Sequence, residues 1–226
     1  MTSLTQVPVV TALSKKEAVL RELRAHIPFT AKASILGVVL AYAADHLTHR
    51  FSATELSASI FDLAHPLHVL FSCSVSTGML YKYWKGKRSP LLAIFAGMTI
   101  AVVIGILSDS LFPYLGSLPF KKETFFYIEL LHQPALVLSG AAGGALLGIL
   151  RSNTRYHHFF HVLISMTASL FYVLSFGFTL TGWLLPYLAA VVFLAVIVPC
   201  CVSDIVLPIA VLGTHDIEEN HHCCKH

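Results

Sequence analysis

Charged residues are scarce in this chain: 15 Lys and Arg and 12 Asp and Glu make up 12% of 226 residues, against about a quarter in ordinary soluble domains. So low a charge content excludes an ordinary soluble fold. The net charge of only +3 offers no broad basic face for nucleic acid. No cleavage site of small residues follows the charged N-terminal stretch, which argues against a removable signal peptide. The Gly-rich run Ser139-Gly140-Ala141-Ala142-Gly143-Gly144-Ala145 follows no strand, so it does not read as a nucleotide loop. Close packing between helices explains it better.

Apolar residues are abundant, at 56% of the chain. Since about 20 residues cross the hydrocarbon of a bilayer, the length suits one compact bundle with no room for a separate soluble catalytic domain. Six apolar segments can be read, roughly Pro28 to Asp45, Ala58 to Trp84, Pro90 to Phe112, Phe125 to Leu150, His158 to Gly177 and Gly182 to Leu212. The stretch Lys15 to Arg24 has helical spacing and mixed charge, as expected of a short amphipathic helix on the membrane surface. The expected fold is therefore all-α, a polytopic membrane protein of six transmembrane helices.

A short pattern occurs twice. His65-x-x-His68-Val69-Leu70-x-Ser72 is followed by Ser108-Asp109-x-x-x-Pro113, and His158-x-x-His161-Val162-Leu163-x-Ser165 by Ser203-Asp204-x-x-x-Pro208, at offsets of 93 and 95 residues. This reads as an internal duplication of a three-helix unit, covering 28–117 and 118–213, between an N-terminal segment, 1–27, and a tail, 214–226. Basic residues collect in the N-terminal stretch, after the second segment and after the fourth, whereas the alternate loops carry only Arg50, Lys121 and Lys122. By the positive-inside rule both termini face the cytoplasm, in an integral protein of the plasma or inner membrane. Three is odd, so the two units enter the membrane from opposite sides and form a 3+3 inverted repeat.

Ionisable side chains inside a bilayer are functional candidates by default. On the outer side lie Asp45, His49, Asp62, His65, His68, Asp109, Glu129 and His132, several of them three residues apart on one helix face. On the inner side lie His158, His161 and Asp204, the repeat counterparts of His65, His68 and Asp109. Two sites at opposite depths are thus expected. Imidazole mixed with carboxylate suits a divalent transition metal, zinc or iron above all, and carboxylate-x-x-His pairs on facing helices build di-metal sites in bundles. Cys200 and Cys201, embedded in apolar sequence, read more readily as packing residues than as ligands. The tail from His215 to His226 resembles a metal-capturing tract. Several prolines flank the polar groups, among them Pro66, Pro113, Pro134 and Pro208, and each frees a backbone carbonyl one turn earlier.

These features support a membrane transporter or channel for a divalent transition-metal ion, with ligands at two depths. A membrane-embedded metal-dependent enzyme, a hydrolase or di-iron oxidase using the outer cluster, stays open beside it. A b-type cytochrome with haem between His68 and His132 fits the carboxylates poorly. The expected partners are membrane lipid and the metal ion, with a homo-oligomer left open.

Overall fold

The computed structural model describes residues 15–47, 53–83, 89–120, 123–150, 155–178, 182–201, 203 and 207. Among these, all regular structure is helical. Helix α1 runs Lys15–Leu47. The amphipathic stretch and the first apolar segment, expected as separate elements, therefore form one continuous helix through Pro28, sustained by the strong helix formers on both sides. Helix α2 follows over Ala53–Tyr83.

Helix α3, Pro90–Gly105, starts where the Leu91 N–H donates to Ser89 Oγ at 3.3 Å with Pro90 next to the cap. It runs directly into a π-helical segment, Ile106–Leu111, and then into α4, Phe112–Ser117. The fourth segment, expected as one span from Phe125 to Leu150, is broken. Residues 123–128 are not helical, α5 is the single turn Glu129–His132, and α6 covers Pro134–Leu150. The break falls at Gln133, because a residue preceding proline is pushed out of the helical region. Helices α7, Arg155–Ser175, and α8, Leu184–Cys201, complete the described chain.

Two helical stretches, Thr54–Tyr81 and Pro90–Phe120, are long and apolar enough to cross a membrane. The other apolar stretches are shorter: Ala31–Leu40, Pro134–Leu150, Phe160–Ser175 and Leu184–Cys200. Leu63, Phe95, Leu131 and Leu146 are 58–72% exposed, whereas His65, His68, Asp109, Glu129 and His161 are wholly buried.

Helix α2 is the centre, packed by α3, α6 and α7. It runs antiparallel to α7, since Phe61 meets Tyr172, His68 meets His161 and Phe71 meets Phe160. The outer pairings are reciprocal: α6 lies on α2 and α3, and α1 lies on α7 and α8. The Gly-rich run is a packing surface, as its composition implies. A Cβ on Gly140, Gly144 or Gly148 would sit 2.8, 2.1 or 2.5 Å from the carbonyl oxygens of Pro66, Leu70 and Ser74. Glycines four apart thus let α6 press on the α2 backbone over two turns.

Gly144→Ala, whose new methyl collides with Leu70 O, is expected to destabilise the fold by about 1–3 kcal/mol. Gly143→Ala, whose methyl meets only the Leu70 side chain at 3.9 Å, is expected to be neutral or stabilising. Thermal melts in detergent compare the two; equal midpoints would mean that α6 does not bear on α2 at this point.

Candidate metal centre

The site is organised around one carboxylate. Asp109 belongs to the π segment, where the Phe112 N–H donates to Leu107 O five residues back. The wider turn, a frequent device at functional sites, carries Ser108, Asp109 and Ser110 into the interior, and all three are buried. Asp109 Oδ2 lies 3.0 Å from His65 Nδ1 and 2.6 Å from His68 Nδ1. Its Oδ1 lies 2.8 Å from Ser108 Oγ and accepts from Ser165 Oγ at 2.9 Å.

A carboxylate only accepts, so each of the two imidazoles presents its Nδ1–H to Asp109. That fixes the tautomer, and the lone pair of each neutral ring stands at Nε2. Both Nε2 atoms are buried with no hydrogen-bond partner. Metal-ligating histidines show this same arrangement, in which a carboxylate holds the far ring nitrogen and orients the near one.

Across from His68 stands His161 on α7, with ring centroids 4.7 Å apart in an edge contact. His161 Nε2 is 3.1 Å from Cys200 Sγ on α8. One ligand atom from each of His68, His161 and Cys200 lies within 4.8 Å of the others, and all three residues are buried. Tetrahedral zinc, with bonds of about 2.0–2.3 Å, needs ligand atoms about 3.3–3.6 Å apart. A small inward movement of these side chains closes that gap. Gly105 makes room beside the centre: a Cβ there would stand 3.2 Å from His65 Cε1.

The expected outer and inner sets are thus not separate as far as His68 and His161 are concerned, because these two counterparts touch. Of the other expected ligands, His65 and Asp109 join the centre as described. His132 does not: it is exposed on the α5 turn, stacked on Tyr127 with its Nδ1 2.9 Å from Ile128 O. The proline-imposed break follows it directly, and the His132 ring stays outside while Glu129 at the start of the same turn is buried. Asp62 is half-buried and interacts with the buried Glu129 near Tyr127, apart from the His68, His161 and Cys200 group. The side chains of Asp45 and His158, all of His49 and Asp204, and the tail lie outside the described residues. Sequence reasoning set Cys200 aside. The repeat gives no signal for it, since its counterpart at the offset of 95 is Gly105, and only the fold brings its thiol to His161.

Asp109→Asn keeps the shape of the side chain but removes the charge that both imidazoles share at Oδ2 and puts an NH2 donor either there or at Oδ1, where two serine hydroxyls now meet an acceptor. Affinity for a divalent transition metal is expected to fall about 10- to 100-fold, with helix content unchanged. Competition against a chromophoric chelator measures this, and an unaltered affinity would show that Asp109 does not orient the ligands.

Comparison with known proteins finds no matching family model, no matching curated protein and no matching solved structure.

Proposed function

We propose that the chain is an integral membrane protein of six spans, built as two inverted three-helix repeats, and that it carries a divalent transition-metal ion through one central site. The observation that carries this reading is the meeting of His68 and His161, equivalent residues of the duplicated sequence, in a single buried ligand set with Cys200. Inverted-repeat transporters place their substrate at the interface of the repeats near the bilayer midplane, often beside irregular helix. The π segment supplies that irregularity here. The reciprocal packing of α6 on α2 and α3 and of α1 on α7 and α8 is what such symmetry requires.

Two imidazoles and a thiolate favour a borderline or soft cation, and zinc suits the set best. Three protein ligands leave a fourth position open, which lets the ion exchange. The thiol, and any protonated imidazole, release protons on binding, so loading weakens as the pH falls and ion movement is coupled to protons. An open position also characterises catalytic zinc, which keeps a membrane-embedded hydrolase as the second reading. A di-iron oxidase is less favoured, because the His68, His161 and Cys200 group contains no carboxylate and both Asp109 oxygens are engaged by histidine and serine.

Purified wild-type protein is expected to hold zinc and to take it up into proteoliposomes. His68→Ala, His161→Ala and Cys200→Ser should each abolish uptake and release the metal, while His132→Ala retains both. Elemental analysis and uptake with a fluorescent zinc indicator give the two readouts. Uptake that survives His68→Ala and His161→Ala would sink the transport reading.

A further inference from the structure

One buried acid lies outside the metal set. Glu129, the first residue of the α5 turn, is wholly buried, and neither Oε1 nor Oε2 has a hydrogen-bond partner. The turn precedes the apolar stretch Pro134–Leu150 and is not part of it. Its backbone is pinned, since the Gln133 N–H donates to Glu129 O at 2.7 Å. The non-helical residues before it are held to α7 through Tyr172, whose hydroxyl donates to Phe125 O at 2.9 Å and accepts from the Tyr127 N–H at 3.3 Å. The local fold thus keeps the carboxyl inside.

The titratable groups around it come from three elements. The carboxyl of Asp62, half-buried on α2, and the phenol of Tyr127 act on Glu129, as does the exposed ring of His132 at the end of the same turn. Tyr172 of α7 faces the segment that carries Tyr127. The rings pack closely: Tyr127 stacks on His132 with centroids 4.2 Å apart and meets Phe61 edge-on at 6.1 Å. Phe61 in turn stacks on His65 at 5.7 Å, so one aromatic side chain touches both the Tyr127 ring and the histidine that Asp109 holds.

Two ligands suit buried carboxyl oxygens, a metal ion and a proton. A metal ion needs several donors converging on one point, and Asp62, Glu129 and His132 do not converge; among the described residues His68, His161 and Cys200 do. A proton needs neither a cavity nor a third donor. An ionised carboxylate without a partner in apolar surroundings is costly, and a second carboxylate beside it adds repulsion, so one bound proton relieves both. Glu129, the deeper of the two, carries it. Asp62, which keeps access to the surface, remains the anion.

We infer that Glu129 and Asp62 are a carboxyl pair sharing one proton, a proton-binding site separate from the metal set; its part in coupling rests on the transport reading above. The two groups titrate as a unit. Asp62 stands three residues before His65, on the same face of α2. The proton and the metal therefore occupy different residues joined along one helix. A change of charge at the pair acts on His65, and through Asp109 on the orientation of His68.

The test is infrared spectroscopy of metal-free full-length protein in detergent, with protonated carboxyl groups identified by the shift of their C=O band in D2O. At about pH 6, where an ordinary glutamate is ionised, wild-type protein is expected to show a protonated carboxyl that is absent in Glu129→Gln and kept in Asp109→Asn. Asp62→Asn, which removes the neighbouring charge, should weaken proton binding about tenfold, lowering the midpoint by about one pH unit. No protonated carboxyl in the wild-type spectrum, which depends on no variant folding, or a midpoint indifferent to Asp62→Asn, would overturn the pair. In proteoliposomes a pH difference across the membrane should speed zinc uptake by wild-type protein and leave uptake by Glu129→Gln unaffected; a variant that responds as wild type does removes the pair from coupling. No ion flux enters the spectra, so a failure of the transport reading appears in uptake alone.

Discussion

Asp109 is the constraint on which the centre of this molecule depends. A carboxylate in an apolar interior is tolerable only with its oxygens engaged, and leaving it unpaired there is strongly destabilising. Its four close partners come from three elements: His65 and His68 from α2, Ser165 from α7 and Ser108 from its own π segment. The side chain thereby ties α2, α7 and the third helical stretch into one unit. An α-helical turn in place of the π turn would rotate the carboxylate away from at least part of this set. The backbone irregularity and the polar cluster are one feature.

The surrounding packing serves that cluster by close approach. Glycines at four-residue spacing bring α6 onto the α2 backbone, and on the opposite side Gly97 lets α3 reach the Thr77 region of the same helix. With α2 held between α3 and α6, its remaining face turns to α7, where His68 meets His161. Small residues thus sit where helices touch, and polar residues sit along the axis they enclose.

Much of this was legible in the sequence. The helical class, the grouping of His65, His68 and Asp109, and the packing role of the Gly-rich run all follow from composition and spacing. The meeting of His68 and His161 was not, because depth was assigned from separate helix ends while the antiparallel crossing of α2 and α7 brings equivalent positions together. The fate of the Glu129 and His132 pair was missed for a local reason. A three-residue spacing implies one face only while the helix continues, and Pro134 stops it at Gln133. Cys200 was undervalued because burial of a thiol in apolar sequence says nothing of its neighbours, which only the fold supplies.

The centre holds unequal chemistry on its two sides. Under the repeat, Cys200 takes the place of Gly105, so a soft ligand is offered by α8 and none by α3. At Gly105 the missing Cβ admits the His65 ring, whose Nδ1 is given to Asp109. At Cys200 the thiol reaches His161 directly. One side therefore orients imidazoles through a carboxylate, and the other adds a thiol to a group that could hold a metal ion. The His68, His161 and Cys200 group lies toward α7 and α8, the side joined to the π segment by the Ser165 and Ser169 hydrogen bonds.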